Sequence, residues 1–482
     1  MHYRNLCAVT GLILIMFSFT MLPPILVSLI YDENIHSAFF KSFNICYLVG
    51  FLLWFYNRAS EYNIRSYEGF FIVVLVWIIL CAASALPFIF AIDDLAIVDA
   101  LFEATSGLTT TGIEILTGLD FMPNAIRYYH QQLQFIGGMG VIVLAAAVLP
   151  MLGVGGMQLY KSEVGGPIKD SKLTPRMKET AALLWLVYGS ITIACIICYK
   201  VLGMTWFDAI CEAFGTTSTG GFSIYDNSFS KHANVAIDIA AMFFMILGSL
   251  SFAVHFMMVK RRAFLIHFRN FESKVFFIVM AISIIFVTML LGANDYYADT
   301  LQLVDNAAFT VVSMLTTTGL ANTSFASWPG VLPTLMMIFG LIGGCSGSTT
   351  GGLKLVRIIF IYEEGVRSLR RLIHPKAIYS LHLGKDVIKP ETADAMRGFL
   401  AIFIVVYLVF ILVVMLSGLD VYTAFSAVTA CLSNVGASVA GVANSYAHIP
   451  EATKEILILS MVAGRLEVMT LLVLFMPSFW RQ

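Results

Sequence analysis

Apolar runs long enough to cross a bilayer recur along nearly the whole 482-residue chain. They lie near residues 6–30, 38–57, 67–92, 131–158, 180–202, 234–259, 275–292, 331–362, 397–417 and 452–477. One crossing takes roughly 20 apolar residues, and main-chain groups in lipid must find partners within the segment, so about ten spanning helices are expected. The charge content agrees. Only 12% of residues are charged and 59% are hydrophobic, with a mean hydropathy of +0.85, whereas soluble domains carry roughly 25% charged residues. The net charge of −1 lacks the basic surplus that a nucleic-acid partner requires. The first run, Ala8 to Ile30, is followed by no small-residue cleavage site and reads as a retained helix. Cys195 and Cys198 form the only tight cysteine pair. They lie inside an apolar run, where packing rather than redox chemistry is expected.

Between the long runs a shorter motif appears four times. Ala100-Leu-Phe-Glu-Ala-Thr-Ser-Gly-Leu-Thr109-Thr110-Thr111-Gly112 aligns with Ala209-Ile-Cys-Glu-Ala-Phe-Gly-Thr-Thr-Ser218-Thr219-Gly220-Gly221. The third copy is Ala307-Ala-Phe-Thr-Val-Val-Ser-Met-Leu-Thr316-Thr317-Thr318-Gly319, and the fourth is Ala424-Phe-Ser-Ala-Val-Thr-Ala-Cys-Leu-Ser433-Asn434-Val435-Gly436. The final glycines are spaced by 109, 98 and 117 residues, and each copy sits between two long apolar runs. The repeating unit is helix, short segment, helix. The expected fold is an all-α integral membrane protein with four helix–pore-helix–helix repeats in fourfold pseudosymmetry around one pore. The units are residues 63–160, 161–262, 263–372 and 373–482, and two extra N-terminal helices occupy residues 1–62.

Twelve helical residues span about 18 Å, short of a hydrocarbon core of roughly 30 Å, so each short segment is re-entrant. Irregular backbone at that depth is tolerated only where protein buries it or where it lines a watery cavity. Four such turns imply a pore whose carbonyls and hydroxyls replace a monovalent cation's water. Glycine at the end of each copy lets the chain turn back with its carbonyls facing the lumen. Charge placement gives an orientation. Residues 93–127, 200–238, 295–331 and 420–455 hold 16 acids and 4 bases, while residues 161–179, 260–274 and 354–397 hold 19 bases and 9 acids. By the positive-inside rule the four turns face outward, under an acidic vestibule that concentrates cations.

In the third unit the apolar run after the motif is interrupted by Gly343, Gly344, Cys345, Ser346, Gly347, Ser348, Thr349, Thr350, Gly351 and Gly352. Glycines cost a helix about 1 kcal/mol each, so a flexible intramembrane break is expected there. It is not a phosphate loop, because Gly352-Leu353-Lys354-Leu355 follows where Gly-Lys-Ser/Thr is needed. Arg465, in the last apolar run, is an intramembrane charge that calls for a partner. Two readings stand: a gate that contacts the 343–352 break and opposes cation passage, or a structural ion pair with an acid on a neighbouring helix. On a continuous helix Glu467 would point about 200° away from Arg465.

Nothing suggests an enzyme. The histidines form no H-E-x-x-H pair and no G-x-S-x-G elbow is present. A gated channel, a cation symporter using H⁺ or Na⁺, and a non-transporting receptor remain as classes. The scarcity of carboxylates deep in the spans favours the channel.

On these residues the chain resembles the Trk, Ktr and HKT superfamily of potassium transporters. The four glycine-ended loops carry the resemblance, together with Lys172-Leu-Thr-Pro-Arg176, Gly343-Gly-Cys-Ser-Gly-Ser-Thr-Thr-Gly-Gly352 and Gly464-Arg465-Leu466-Glu467. The resemblance implies that Thr109 to Gly112, Ser218 to Gly221, Thr316 to Gly319 and Ser433 to Gly436 form the ion filter, with Gly112, Gly221, Gly319 and Gly436 as its glycines. With glycine at all four positions, it implies passage of K⁺ and Rb⁺. It also implies a bacterial inner-membrane location, a homodimer and no cofactor beyond the transported K⁺. A cytosolic TrkA-like ring that binds NAD(H) or ATP is implied on the basic inner face, where membrane lipid is a second partner. The loops lack the T-V-G-Y-G pattern of tetrameric potassium channels, so fewer stacked ion sites and weaker selectivity are expected.

Overall fold

The computed structural model describes residues 3–57, 66–147, 177–263, 265–384 and 386–480. The stretch from Lys172 to Arg176 and the expected unit boundaries at residues 62–63 and 160–161 lie outside these residues. Apart from a two-residue ribbon pairing His382–Leu383 with Asp386–Val387, regular structure among the described residues is helical.

Six helical segments are long and apolar enough to cross a membrane: Arg4–Ile30, His36–Asn57, Gly69–Ala91, Ala181–Val201, Phe271–Ala293 and Pro390–Leu416. The first two are the extra N-terminal pair. They cross at Gly11 and Gly50, where a Cβ on either glycine would lie within 2.9 Å of the other's carbonyl oxygen, so the missing side chains set how closely the helices approach. Glu33, in the turn between them, caps the helix Asn124–Ala147 through the backbone N–H groups of Asn124 and Ala125 at 2.5 and 3.0 Å. The N-terminal pair is thereby fastened to the first unit.

Four half-length helices follow the motif copies: Ile97–Leu108, Trp206–Ser218, Thr300–Leu315 and Val421–Leu432. At 12 to 16 residues none is long enough to span. The last three begin at Thr205, Asp299 and Asp420, whose side chains accept a hydrogen bond from the first turn. The Asp420 carboxyl is held below the usual carboxylate range by the Thr423 hydroxyl and backbone N–H.

The sequence places one interruption among the inner helices, but the described residues show three. In the second unit Val235–Ser249 and Phe252–Arg261 meet at 96°, and in the fourth Glu451–Arg465 and Val468–Phe475 meet at 111°. In the third unit Leu332–Ile342 and Leu355–Ile373 are separated by the glycine-rich stretch. The two additional breaks escape a reading by hydropathy because each occupies only a few residues inside an apolar run. In the second unit the loop from the third docks on the main-chain groups that the break releases, at Gly248, Ser249 and Phe252, and in the fourth the side chain of Arg465, at the helix end, reaches the same loop. Asn124–Ala147, the inner helix of the first unit, is continuous over its described length and carries polar Gln131, Gln132 and Gln134.

Candidate ion pathway

Each half-length helix ends in the same way. The helix stops and one residue takes a left-handed conformation: Thr110, Thr219, Thr317 and Asn434, with φ of 52°, 52°, 51° and 50°. Two residues later comes a glycine at positive φ: Gly112, Gly221, Gly319 and Gly436, at 80°, 85°, 80° and 80°. The backbone N–H groups of Thr111, Gly220, Thr318 and Val435 reach back to Ser106, Gly215, Ser313 and Ala430 at 2.8 to 3.0 Å. This is the closure that satisfies carbonyls at a helix C-terminus. Threonine is a strained choice for left-handed backbone, and such strain persists only where its surroundings over-determine it.

The four turns meet. A Cβ on Gly112 would run into the carbonyl oxygen of Gly220, one on Gly221 into that of Thr318, one on Gly319 into that of Val435, and one on Gly436 into that of Thr111. The contacts run from the first hairpin to the second, third and fourth, and back to the first. Four glycines and four carbonyls therefore close a ring. Side chains pin it from behind. Thr109 and Thr316 donate to the carbonyls four residues earlier at 2.7 Å, and each is also 2.7 Å from the hydroxyl two residues on, at Thr111 and Thr318. Ser433 makes the corresponding bond to the Thr429 carbonyl. Asn434 donates to the Thr111 hydroxyl at 2.9 Å and to the Met461 carbonyl at 3.0 Å, joining the fourth hairpin to the first.

Several residues with no assigned role in the sequence reading hold the ring. Gln134 donates to the Gly220 carbonyl at 2.5 Å. Buried Glu103 accepts from the backbone N–H of Ile115 at 2.7 Å and lies 2.5 Å from His130. Glu212 accepts from the Ser223 hydroxyl at 2.6 Å and the Ile224 N–H at 3.1 Å. The signal for the last pair was present in the motif, since Glu103 and Glu212 occupy the same position of the first two copies.

Directly against the ring lies the stretch from Gly343 to Lys354, whose backbone is at positive φ at Gly343, Gly347, Gly352 and Lys354. It touches three hairpins. Thr349 meets the Thr219 hydroxyl at 3.0 Å, the Gly351 N–H donates to Thr317 at 2.8 Å, and a Cβ on Gly351 would strike the Ser433 carbonyl. The break in the second unit anchors it: the N–H of Cys345 donates to the Ser249 carbonyl, and the N–H of Phe252 donates to the Gly347 carbonyl. Glu272 caps the Ser346 N–H at 2.7 Å, and Lys354 donates to the Thr350 carbonyl.

Arg465 is 5% exposed. It donates to the carbonyl of Thr349 at 2.8 Å and to that of Gly137, on the inner helix of the first unit, at 3.3 Å. Among the described residues it makes no ion pair with an acid, in contrast to the structural ion pair considered above. Glu467 pairs instead with buried Arg357 at 2.9 Å. The helical-wheel separation of Arg465 and Glu467 does not apply, because the helix ends at Arg465 and Glu467 takes φ of 56°. A cavity of about 50 Å³ lies beside this layer, lined by Thr350, Lys354, Arg357, Phe399, Arg465 and Glu467 among others.

Comparison with known proteins bears on these features together. The family model TrkH, described as a cation transport protein, matches residues 35–482. The chain is 43% identical over 483 residues to the Trk system potassium uptake protein TrkH of Escherichia coli K12, covering all of both chains. It is 36% identical to the Trk system potassium uptake protein TrkG of the same organism, covering 100% of this chain and 99% of that one. The crystal structure of the potassium transporter TrkH from Vibrio parahaemolyticus superposes with a TM-score of 0.93 at 39% identity, covering all of both chains.

Proposed function

The chain belongs to the TrkH family of cation transport proteins, and from that premise we propose how it passes potassium. It is a multi-pass membrane protein and a potassium uptake transporter of the Trk type rather than an enzyme. Residues 109–112, 218–221, 316–319 and 433–436 form a filter for K⁺ and Rb⁺, built from four units of one chain. The observation that carries this reading is the closed ring in which each glycine faces the carbonyl preceding the next glycine. Carbonyls gathered in this way replace the water of a dehydrated cation. A side chain on any of the four glycines would fill the ring, which accounts for glycine in every copy.

Residues 343–352 with Arg465 form the gate on the inner side of the filter. The loop is buried against three hairpins, and Arg465 places a cation beside it, where a passing K⁺ meets like charge. Conduction requires the loop to leave this position and take the arginine's contact with it. The mode is that of a gated channel: among the described residues the ring itself offers carbonyls and hydroxyls, with no titratable side chain to couple proton movement to K⁺. The filter faces outward in the bacterial inner membrane. The homodimer and a TrkA-like cytosolic ring binding NAD(H) or ATP are part of this proposal, supported by the Trk system to which the relatives belong. The exposed Leu369, Leu372 and Ile373, beside Arg370 and Arg371, supply a mixed apolar and basic surface for such contacts.

⁸⁶Rb⁺ uptake into proteoliposomes, with and without the ring protein, tests the reading. Passive flux that follows the K⁺ gradient irrespective of Na⁺ and pH is expected. Flux that persists against the K⁺ gradient when H⁺ or Na⁺ is supplied would replace the channel with a symporter.

A further inference from the structure

The four copies of the motif differ at the position just before the ring glycine, which holds Thr111, Gly220, Thr318 and Val435. The carbonyls of these four residues make the ring. Three of the four carry a side chain and the second does not. Backbone conformation does not demand glycine there, since Gly220 is not among the residues at positive φ. Space does. A Cβ on Gly220 would lie 2.5, 2.6 and 2.8 Å from Cδ, Oε1 and Nε2 of Gln134. The room left by the missing side chain is taken by an amide from the inner helix of the first unit.

That amide engages the ring with both of its ends. Its Nε2 donates to the Gly220 carbonyl at 2.5 Å, and its Oε1 accepts from the Phe222 N–H at 3.3 Å. A carbonyl only accepts and a backbone N–H only donates, so the amide has a single workable orientation. Gln134 is fully buried, and it holds the peptide groups on both sides of Gly221. The ring is therefore uneven. Among the described residues the Gly220 carbonyl receives a donor, whereas no hydrogen bond reaches the carbonyls of Thr111, Thr318 or Val435.

We infer that Gln134 is a positioning residue that sets the preference for K⁺ and Rb⁺ over Na⁺, given the reading of the four turns as the filter. Two effects act in the same direction. The N–H end of the amide partly offsets the field of the Gly220 oxygen at the axis, and a weaker field favours the larger cations, which give up their water more readily. The bond also tethers the carbonyl. Na⁺ is smaller and would need the ring to draw inward, which a carbonyl held from behind resists.

The test is the bi-ionic reversal potential of the full-length protein in planar bilayers. Gln134→Met keeps the length of the side chain but cannot donate, and should lower the K⁺/Na⁺ permeability ratio by about fivefold, on the scale of one lost hydrogen bond. The Rb⁺/K⁺ ratio should stay as it is. Gly220→Ala drives the amide off the carbonyl and should shift the K⁺/Na⁺ ratio in the same direction. In a Gln134→Ala background, where the room is open, Gly220→Ala should add little. Gln132→Met, on the same helix but bonded to the Thr20 carbonyl, should leave the ratio unchanged. A Gln134 that served packing alone would lower flux and keep the wild-type ratio. An unshifted ratio in Gln134→Met, or in Gly220→Ala if Gln134→Met does not fold, overturns the role of Gln134 while Gly112→Ser still shifts the potential. No shift in Gly112→Ser either would remove the filter beneath it.

Discussion

The ring of hairpins and the loop packed against it use the same kinds of residue, small and hydroxylated, but are secured in opposite ways. Each hairpin closes its own backbone, receives a side-chain pin from behind and abuts the next hairpin through a glycine. Four strained left-handed residues are tolerated because everything around them agrees. The loop from Gly343 to Lys354 closes on itself through the side chains of Ser348 and Lys354, and its main chain is anchored to the broken helix at Ser249 and Phe252 and to Glu272. The buried polar atoms without a hydrogen-bond partner include the Asn434 amide oxygen in the fourth hairpin, Ser346 Oγ in the loop and Arg465 Nε beside it. An over-determined element suits selection of an ion. An element held at its edges suits movement, because local opening draws on the least satisfied contacts.

Substitutions should separate these roles. The largest effect is expected in the ring. Gly319→Ala places a methyl against the Val435 carbonyl on backbone at φ of 80°. The strain is about 3 kcal/mol or more, and ⁸⁶Rb⁺ flux should fall by about 100-fold. Gly112→Ser, in the same ring, should lower the K⁺/Na⁺ permeability ratio by about tenfold, read as a shift of the bi-ionic reversal potential. An unshifted potential would remove Gly112 from the filter.

Changes in the loop layer should alter opening and leave selectivity intact. Arg465→Ala removes two charge-assisted bonds to carbonyls, each worth about 1.5–3 kcal/mol. Open probability in single-channel recordings should rise by about tenfold, and an unchanged value would break the assignment of the gate. Glu272→Gln weakens the cap on Ser346, and flux without the ring protein should rise by about threefold. The smallest effect belongs to Glu467→Gln. Its partner Arg357 is buried, but Glu467 is 41% exposed, so the pair is screened and flux should change by about twofold or less. If this change instead altered ion preference, the division between the two layers would be wrong.

The sequence made the ring legible because it is written four times. One glycine-ended copy would pass for an ordinary helix cap, while four copies at similar spacing, each too short to span, force a common site. The loop was legible for a different reason: five glycines between Gly343 and Gly352 contradict the helix that the surrounding apolar run demands. The break near Leu250 was not legible, since Gly248-Ser-Leu-Ser251 departs only mildly from its run, whereas Gly464-Arg465-Leu466-Glu467 did mark its run but read as a charge in need of a partner rather than as a helix end. Both breaks serve the loop, through the carbonyls of Gly248 and Ser249 and through Arg465. Such tertiary requirements leave little local mark. Gln134 and Glu272 were missed likewise, because each acts on a main-chain atom far away in sequence. Arg465 was found from its cost in an apolar segment, but its partners proved to be carbonyls rather than an acid.

The central claim places a dehydrated cation among the carbonyls of Thr111, Gly220, Thr318 and Val435. Anomalous difference density from crystals grown in Rb⁺ addresses it directly. A peak on the axis of the four glycines, lost in Gly319→Ala, is the predicted result. A protein that carries ⁸⁶Rb⁺ in liposomes yet binds the ion only away from that axis would contradict it.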